Sequence, residues 1–254
     1  MPILEIQSLT RRFGGLTAVD ELSFTVEPSE IRGLIGPNGA GKTTTFNVIS
    51  GFYAPTSGRV IYDGRDISGL KTSAIAELGL VRTFQTTTLF HEFTVLENAL
   101  VGCHLQARDN LFKTLLGRNR DREAAAEKRA RETLEFFGLS ERADDLTSSL
   151  PHGLQRALGM AVALAADPKI LLLDEPFTGM NTEETRHMMD LVRRVRDKGV
   201  TVLLVEHDMQ AVMGLCDRIT VLNFGQLLTE GTPDEIRHHP EVIEAYLGAV
   251  SGVA

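Results

Sequence analysis

Ile31-Arg32-Gly33-Leu34-Ile35-Gly36-Pro37-Asn38-Gly39-Ala40-Gly41-Lys42-Thr43-Thr44 runs from an apolar strand pattern through a glycine-rich turn into a helix. The helical character continues to Ser50 and stops at Gly51. From Gly36 to Thr43 every fixed position of GxxxxGK[ST] is met, in the strand-before, helix-after setting that gives the string its meaning. The glycines let backbone N–H groups approach phosphate oxygens closely, and the helix start adds its positive dipole end. The segment Gly36, Pro37, Asn38, Gly39, Ala40, Gly41, Lys42, Thr43 and Thr44 is therefore read as a phosphate cradle. Lys42 is set to reach β and γ phosphates and the Thr43 hydroxyl to meet Mg²⁺.

Upstream, Ile3–Ile6 and Ala18–Val26 alternate short apolar runs with turns and read as strands, as does Ile31–Ile35. Residues 59–68 carry an Asp-Gly turn between two short strand-like pieces. From about Val95 to Phe137 the texture changes to helical stretches rich in Leu, Ala, Arg and Glu, with Leu111, Leu115 and Leu116 at helical spacing. After Pro168 strands and helices alternate: strand Ile170–Leu173, helix about Glu183–Lys198, strand Val200–Val205, a helix from Met209, strand Ile219–Leu222. Such alternation implies crossover units and a mostly parallel sheet covered on both faces.

Two of those strands end in groups suited to chemistry. Ile170–Leu173 delivers Asp174 and Glu175 at its carboxyl end, where open parallel sheets bind ligands. Asp174 is placed to hold Mg²⁺, Glu175 to orient and deprotonate an attacking water. His207 follows Val200–Val205 at the same kind of strand end, where an imidazole can contact a γ phosphate.

Bulk properties narrow the function classes. A chain of 254 residues with 43% hydrophobic and 24% charged residues is of ordinary globular composition. A net charge of −8 disfavours a nucleic-acid-coating surface, and no nucleic-acid partner is expected. No apolar run reaches the ~18 residues of a membrane span, and the first residues lack the basic and apolar regions of a signal peptide. The chain is thus expected in the cytoplasm, with any membrane role supplied by a partner. Cys103 and Cys216 form no CxxC and read as buried thiols.

The phosphate loop, Gln85, the segment Leu150-Pro151-His152-Gly153-Leu154-Gln155-Arg156, the Leu-Leu-Leu-Asp-Glu-Pro strand and His207 resemble, in order and spacing, ABC transporter nucleotide-binding subunits. The likeness covers nearly the whole chain. Arg12-Phe13-Gly14-Gly15, Arg82-Thr83-Phe84-Gln85, Val205-Glu206-His207-Asp208-Met209 and the tail Glu241–Gly248 resemble in particular the branched-chain amino acid importer ATPases. The resemblance implies an α/β fold: a P-loop (RecA-like) ABC cassette with an N-terminal antiparallel β layer and an inserted α-helical subdomain. One cassette would fill 1–254, with its core at 1–85 and 160–254 and the helical subdomain at about 86–159.

The same resemblance implies ATP and Mg²⁺ as ligands and ATP hydrolysis coupled to solute import. Phe13 would stack on adenine; Gln85 would touch Mg²⁺ and the attacking water; His152 and Gly153 would belong to a signature loop that contacts ATP held by a second cassette, head to tail. The partners implied are transmembrane permease subunits and, indirectly, a solute-binding protein. Two positions depart from the family pattern. Pro151 replaces the signature Ser, which leaves the helix dipole and backbone amides near Gly153 to meet phosphate, on a helix start that suits Pro. Asn181 replaces an Asp, removing a charge from the implied interface. The stretch Arg108–Arg131 holds eight basic and four acidic residues, a solvated face or a surface for membrane subunit loops or anionic head groups.

Alternatives remain open on the sequence alone. A non-transport ABC ATPase acting on nucleic acid or ribosomes is one, although a single cassette with net negative charge fits it poorly. An importer of urea or amides is another. A P-loop kinase or GTPase leaves the signature segment and His207 unexplained, and no Asn-Lys-x-Asp is present.

Overall fold

The computed structural model describes residues 1–83, 89–103 and 119–251. Phe84 and Gln85, and Leu111, Leu115 and Leu116, lie outside them. The chain divides into two compact units, Met1–Ile75 with Leu172–Ala254, and Ala76–Leu171.

The first unit holds two sheets. In the first, β1 (Leu4–Phe13) pairs antiparallel with β2 (Leu16–Val26) and with β4 (Ser57–Tyr62), and β5 (Arg65–Asp66) closes the order β2-β1-β4-β5. Leu4 faces Val26 on one side and Tyr62 on the other, so Leu4, Ile6, Val26 and Tyr62 share one buried side. The β4–β5 hairpin turns on Asp63-Gly64, both at positive φ, which matches the right-handed strand twist.

The second sheet runs β10 (Gln226–Gly231), β9 (Arg218–Asn223), β3 (Ile31–Ile35), β8 (Thr201–Val205), β7 (Ile170–Asp174). The order continues to β6 (Leu80–Arg82), beside β7, whose first two residues belong to the second unit. β3 is parallel to both β8 and β9. Every residue of β3, β7 and β8 is buried; a strand covered on both faces has no polar side to alternate with, hence the apolar runs Ile170–Leu173 and Val202–Val205, while β3 carries Arg32, buried and paired with Glu30. The antiparallel edge strand β10 follows the Phe224-Gly225 turn and has no counterpart in the expected strand list.

α1 (Lys42–Ile49) follows the phosphate loop. After α2 (Thr72–Glu77), the second unit contains α3 (Val95–Cys103), α4 (Asn119–Phe136) and α5 (His152–Ala165). Asn98 at the core of that unit is well met: its NH₂ shares two protons among the carbonyls of Phe90 and Thr94 and the Thr147 hydroxyl, and its oxygen accepts from the Phe90 amide. In the first unit α6 (Thr182–Asp197) turns Met188, Leu191, Val192 and Val195 inward at three- and four-residue spacing. α7 (Met209–Leu215), α8 (Pro233–Arg237) and α9 (Pro240–Ser251) complete it. Among the described residues no helix is long and apolar enough to cross a membrane.

Candidate functional site

The phosphate loop leaves the carboxyl end of β3 in a conformation only its glycines allow. Gly36 sits at φ 153, and a Cβ there would lie 2.2 Å from the Leu222 carbonyl oxygen of β9. Gly41, at φ 98, would bring a Cβ 2.5 Å from the Ala18 carbonyl oxygen. Between them the Ala40 amide donates to the Pro37 carbonyl, closing a turn, and the Ala40 carbonyl accepts from the Gly225 amide. The Gly41 carbonyl accepts both the amide and the hydroxyl of Thr45, which begins the α1 ladder. Thr43 is exposed and Thr44 half-buried at this helix start.

Lys42 reaches back over the loop, its Nζ donating to the Gly36 carbonyl at 2.6 Å and the Pro37 carbonyl at 3.0 Å. Burial pushes this ammonium below the ordinary lysine range, and the negative charge of Glu175 acts against that shift. The Tyr246 hydroxyl of α9 comes against the Gly36 backbone, with its phenol pushed up to about 12 by burial. The tail resemblance includes Tyr246 but gives it no place at the phosphate loop.

β7 and β8 deliver the remaining groups. Asp174, 3% exposed, ends β7. Glu175 follows at φ 48, a left-handed conformation uncommon for a residue with a Cβ, and its amide donates to the Val205 carbonyl at the end of β8. The Glu175 carboxylate accepts from the Thr178 hydroxyl at 3.4 Å. His207 is 61% exposed, with Nδ1 4.0 Å from Glu175 Oε1 and 3.5 Å from Glu206 Oε2. The structure thus brings Glu175 and His207 together, and couples Glu175 to Lys42 electrostatically, at the carboxyl ends of neighbouring strands.

Phe13 ends β1 in a small aromatic corner that the sequence pattern did not reveal beyond Phe13 itself. Its ring is 38% exposed and meets Tyr53 edge-on with centroids 5.2 Å apart. The Arg11 guanidinium lies 4.5 Å from the Phe13 centroid and donates to the Ala54 carbonyl.

Two expectations are refined. Pro151 is the cap of α5, at ψ 150, and not its first helical residue; its carbonyl accepts from the Gln155 amide. His152 is exposed and Gly153 half-buried in that first turn, in the second unit. Asn181 caps α6: its side-chain oxygen accepts from the amides of Glu183 and Glu184, and Glu184 returns the bond to the Asn181 amide. An Asn does this as well as an Asp, so the lost charge leaves the local fold intact. Gln85 lies outside the described residues. His238 Nδ1 lies 2.8 Å from the Asp234 carbonyl oxygen in an exposed turn.

The Thr43 hydroxyl at the start of α1 and the Asp174 carboxylate at the end of β7 are hard oxygen ligands that suit Mg²⁺. Among the described residues no group of three or more His, Cys, Asp or Glu could hold a metal. A cation here would draw the rest of its shell from phosphate oxygens and water, as Mg²⁺ commonly does.

With this geometry in view, the likeness to known proteins is specific. The family model described as ABC transporter matches residues 19–178, and that described as branched-chain amino acid ATP-binding cassette transporter matches 226–250. The chain is 47% identical to the high-affinity branched-chain amino acid transport ATP-binding protein LivG of Escherichia coli (strain K12), over 97% of this chain and 98% of that protein. It is also 47% identical to the corresponding protein BraF of Pseudomonas aeruginosa, again over 97% and 98%. The lipopolysaccharide export ATP-binding protein LptB of Escherichia coli is 35% identical over 98% of each. A solved ATP-binding cassette of an ABC transporter in its ADP conformation superposes with a TM-score of 0.86 at 32% identity, covering 98% of this chain and 99% of that one. The expected α/β cassette fold is borne out.

Proposed function

We propose, from the premise that this chain belongs to the ABC transporter family of ATP-binding proteins, ATPases coupled to transport, that it binds and hydrolyses Mg-ATP to drive import of branched-chain amino acids. The observation that carries the hydrolytic part is the meeting of Lys42, Glu175 and His207 at one end of a parallel sheet. The cargo is supported by the match of residues 226–250 and by the two relatives of 47% identity.

In this reading the open amides of the loop and of the α1 start, together with the Lys42 ammonium, hold the β and γ phosphates, and Phe13 stacks on adenine. Thr43 and Asp174 hold Mg²⁺, together with Gln85. The cation supplies charge neutralisation for the transferring phosphoryl group. Glu175 accepts a proton from water as the water oxygen bonds to the γ phosphorus; the bond to the β,γ-bridging oxygen breaks and ADP and phosphate leave. His207 contacts the γ phosphate and fixes the water. The whole chain acts as one cassette. A second cassette, head to tail, presents the start of its α5, with Pro151, His152 and Gly153, to the ATP. Without a hydroxyl at Pro151 that contact rests on backbone amides and the helix dipole. The cassette works from the cytoplasmic face through transmembrane partners, with a solute-binding protein acting on those.

The test is uptake into proteoliposomes containing the cassette and its transmembrane partners, with ATP inside and solute-binding protein outside. Radiolabelled leucine should accumulate only with hydrolysable ATP. Accumulation of urea or an amide in place of leucine overturns the cargo assignment.

A further inference from the structure

Glu206 is a carboxylate with 1% exposure at the end of β8, and the reaction as described gives it no role. Burying a charge there is costly unless its lone pairs are met. They are met by backbone amides from two different turns. Oε1 accepts from the Phe177 amide at 3.0 Å, in the turn that follows Glu175. Oε2 accepts from the His207 amide at 2.7 Å and the Asp208 amide at 3.1 Å. Among the described residues its one ion-pair neighbour is His207, whose Nδ1 lies 3.5 Å from Oε2.

We propose that Glu206 is a positioning residue for the hydrolytic step: it clamps the turn carrying Glu175 to the turn carrying His207 and orients the imidazole through Nδ1. The clamp works in parallel with the bond from the Glu175 amide to the Val205 carbonyl, so the two strand ends are joined on both sides of Glu175. A carboxylate facing Nδ1 favours the tautomer with its proton there and leaves Nε2 free to accept from a proton of the attacking water. A neutral isostere cannot reproduce this. The side chain of Gln has one acceptor oxygen, so its NH₂ must face either the Phe177 amide or the His207 and Asp208 amides, donor against donor. The inference deepens the proposed use of His207 and rests on it.

The experiment is a double-mutant cycle of Glu206→Gln and His207→Ala in the full chain, read by single-turnover release of phosphate per bound Mg-ATP. Glu206→Gln should slow release by about tenfold with KM for ATP within about twofold of the parent. In the His207→Ala background the same change should cost only about threefold, because the part that acts through the imidazole is gone and the hold on the Glu175 turn remains. Equal losses in both backgrounds, or release within about twofold of the parent for Glu206→Gln alone, overturn the proposal. If Glu206→Gln fails to bind nucleotide, Glu206→Asp takes its place in the cycle, since it keeps the charge but shortens the reach, and is held to the same two criteria. Undiminished release by His207→Ala alone is a distinct result: it removes the role assigned to His207, and the clamp's purpose with it.

Discussion

Lys42 Nζ donates to the Gly36 carbonyl across 2.6 Å, so the loop's own backbone holds the ammonium over the cradle. Burial works against the charge at that point and Glu175 partly restores it. Phosphate oxygens are stronger partners than two carbonyls for a partly desolvated ammonium.

Removing that charge should therefore be felt mainly in binding. Lys42→Ala is expected to weaken Mg-ATP binding by about 100-fold, in line with the roughly 1.5–3 kcal/mol of a hydrogen bond to a charged group. Isothermal titration of the purified chain measures it, and a change below about threefold would detach Lys42 from the phosphates.

Phe13 stays partly exposed at the end of β1, with Tyr53 meeting its ring edge-on and the Arg11 guanidinium of the same strand over it at 4.5 Å. Loss of a base-stacking ring costs about 1–3 kcal/mol. Phe13→Ala should weaken ATP binding by roughly tenfold or more while Phe13→Tyr stays within about twofold. Fluorescent ATP titrations decide it; an unchanged Phe13→Ala would place adenine elsewhere.

Both cysteines are buried and free, and burial raises the pKa of each thiol above the ordinary value, Cys216 more than Cys103. A raised thiol pKa means less thiolate at any given pH, and thiolate is the reactive form. A thiol-exchange dye at about pH 8, near the free-thiol pKa, should label neither cysteine in the folded chain and both after unfolding in guanidinium. A thiol that reacts within seconds in the folded chain would contradict the burial.

Much of this was legible in the residues because local chemistry and global fold agree. The apolar runs Ile170–Leu173 of β7 and Val202–Val205 of β8 are unbroken because both faces are covered, and the groups at their ends fall on one side because parallel strands share a direction. Gly36 and Gly41 stand where a Cβ would strike carbonyl oxygens from distant segments, so the motif string encodes tertiary contacts. What stayed hidden depends on chain reversals that no local period records. The Tyr246 hydroxyl reaches Gly36 from the far end of the sequence, and Tyr53 joins Phe13 from another turn. Glu206 reads locally as one more acid before a histidine; only the fold shows it facing the Phe177 amide. Asn181 likewise reads as a missing charge until its oxygen is seen capping α6.

The most direct test of hydrolysis by Glu175 is phosphate release by the parent and by Glu175→Gln at saturating Mg-ATP, with nucleotide binding measured on the same samples. The account requires Glu175→Gln to bind ATP as the parent does and to release phosphate about a thousandfold more slowly, the scale of a lost general base. Release within about tenfold of the parent would contradict it, and would move the base to another residue of the site.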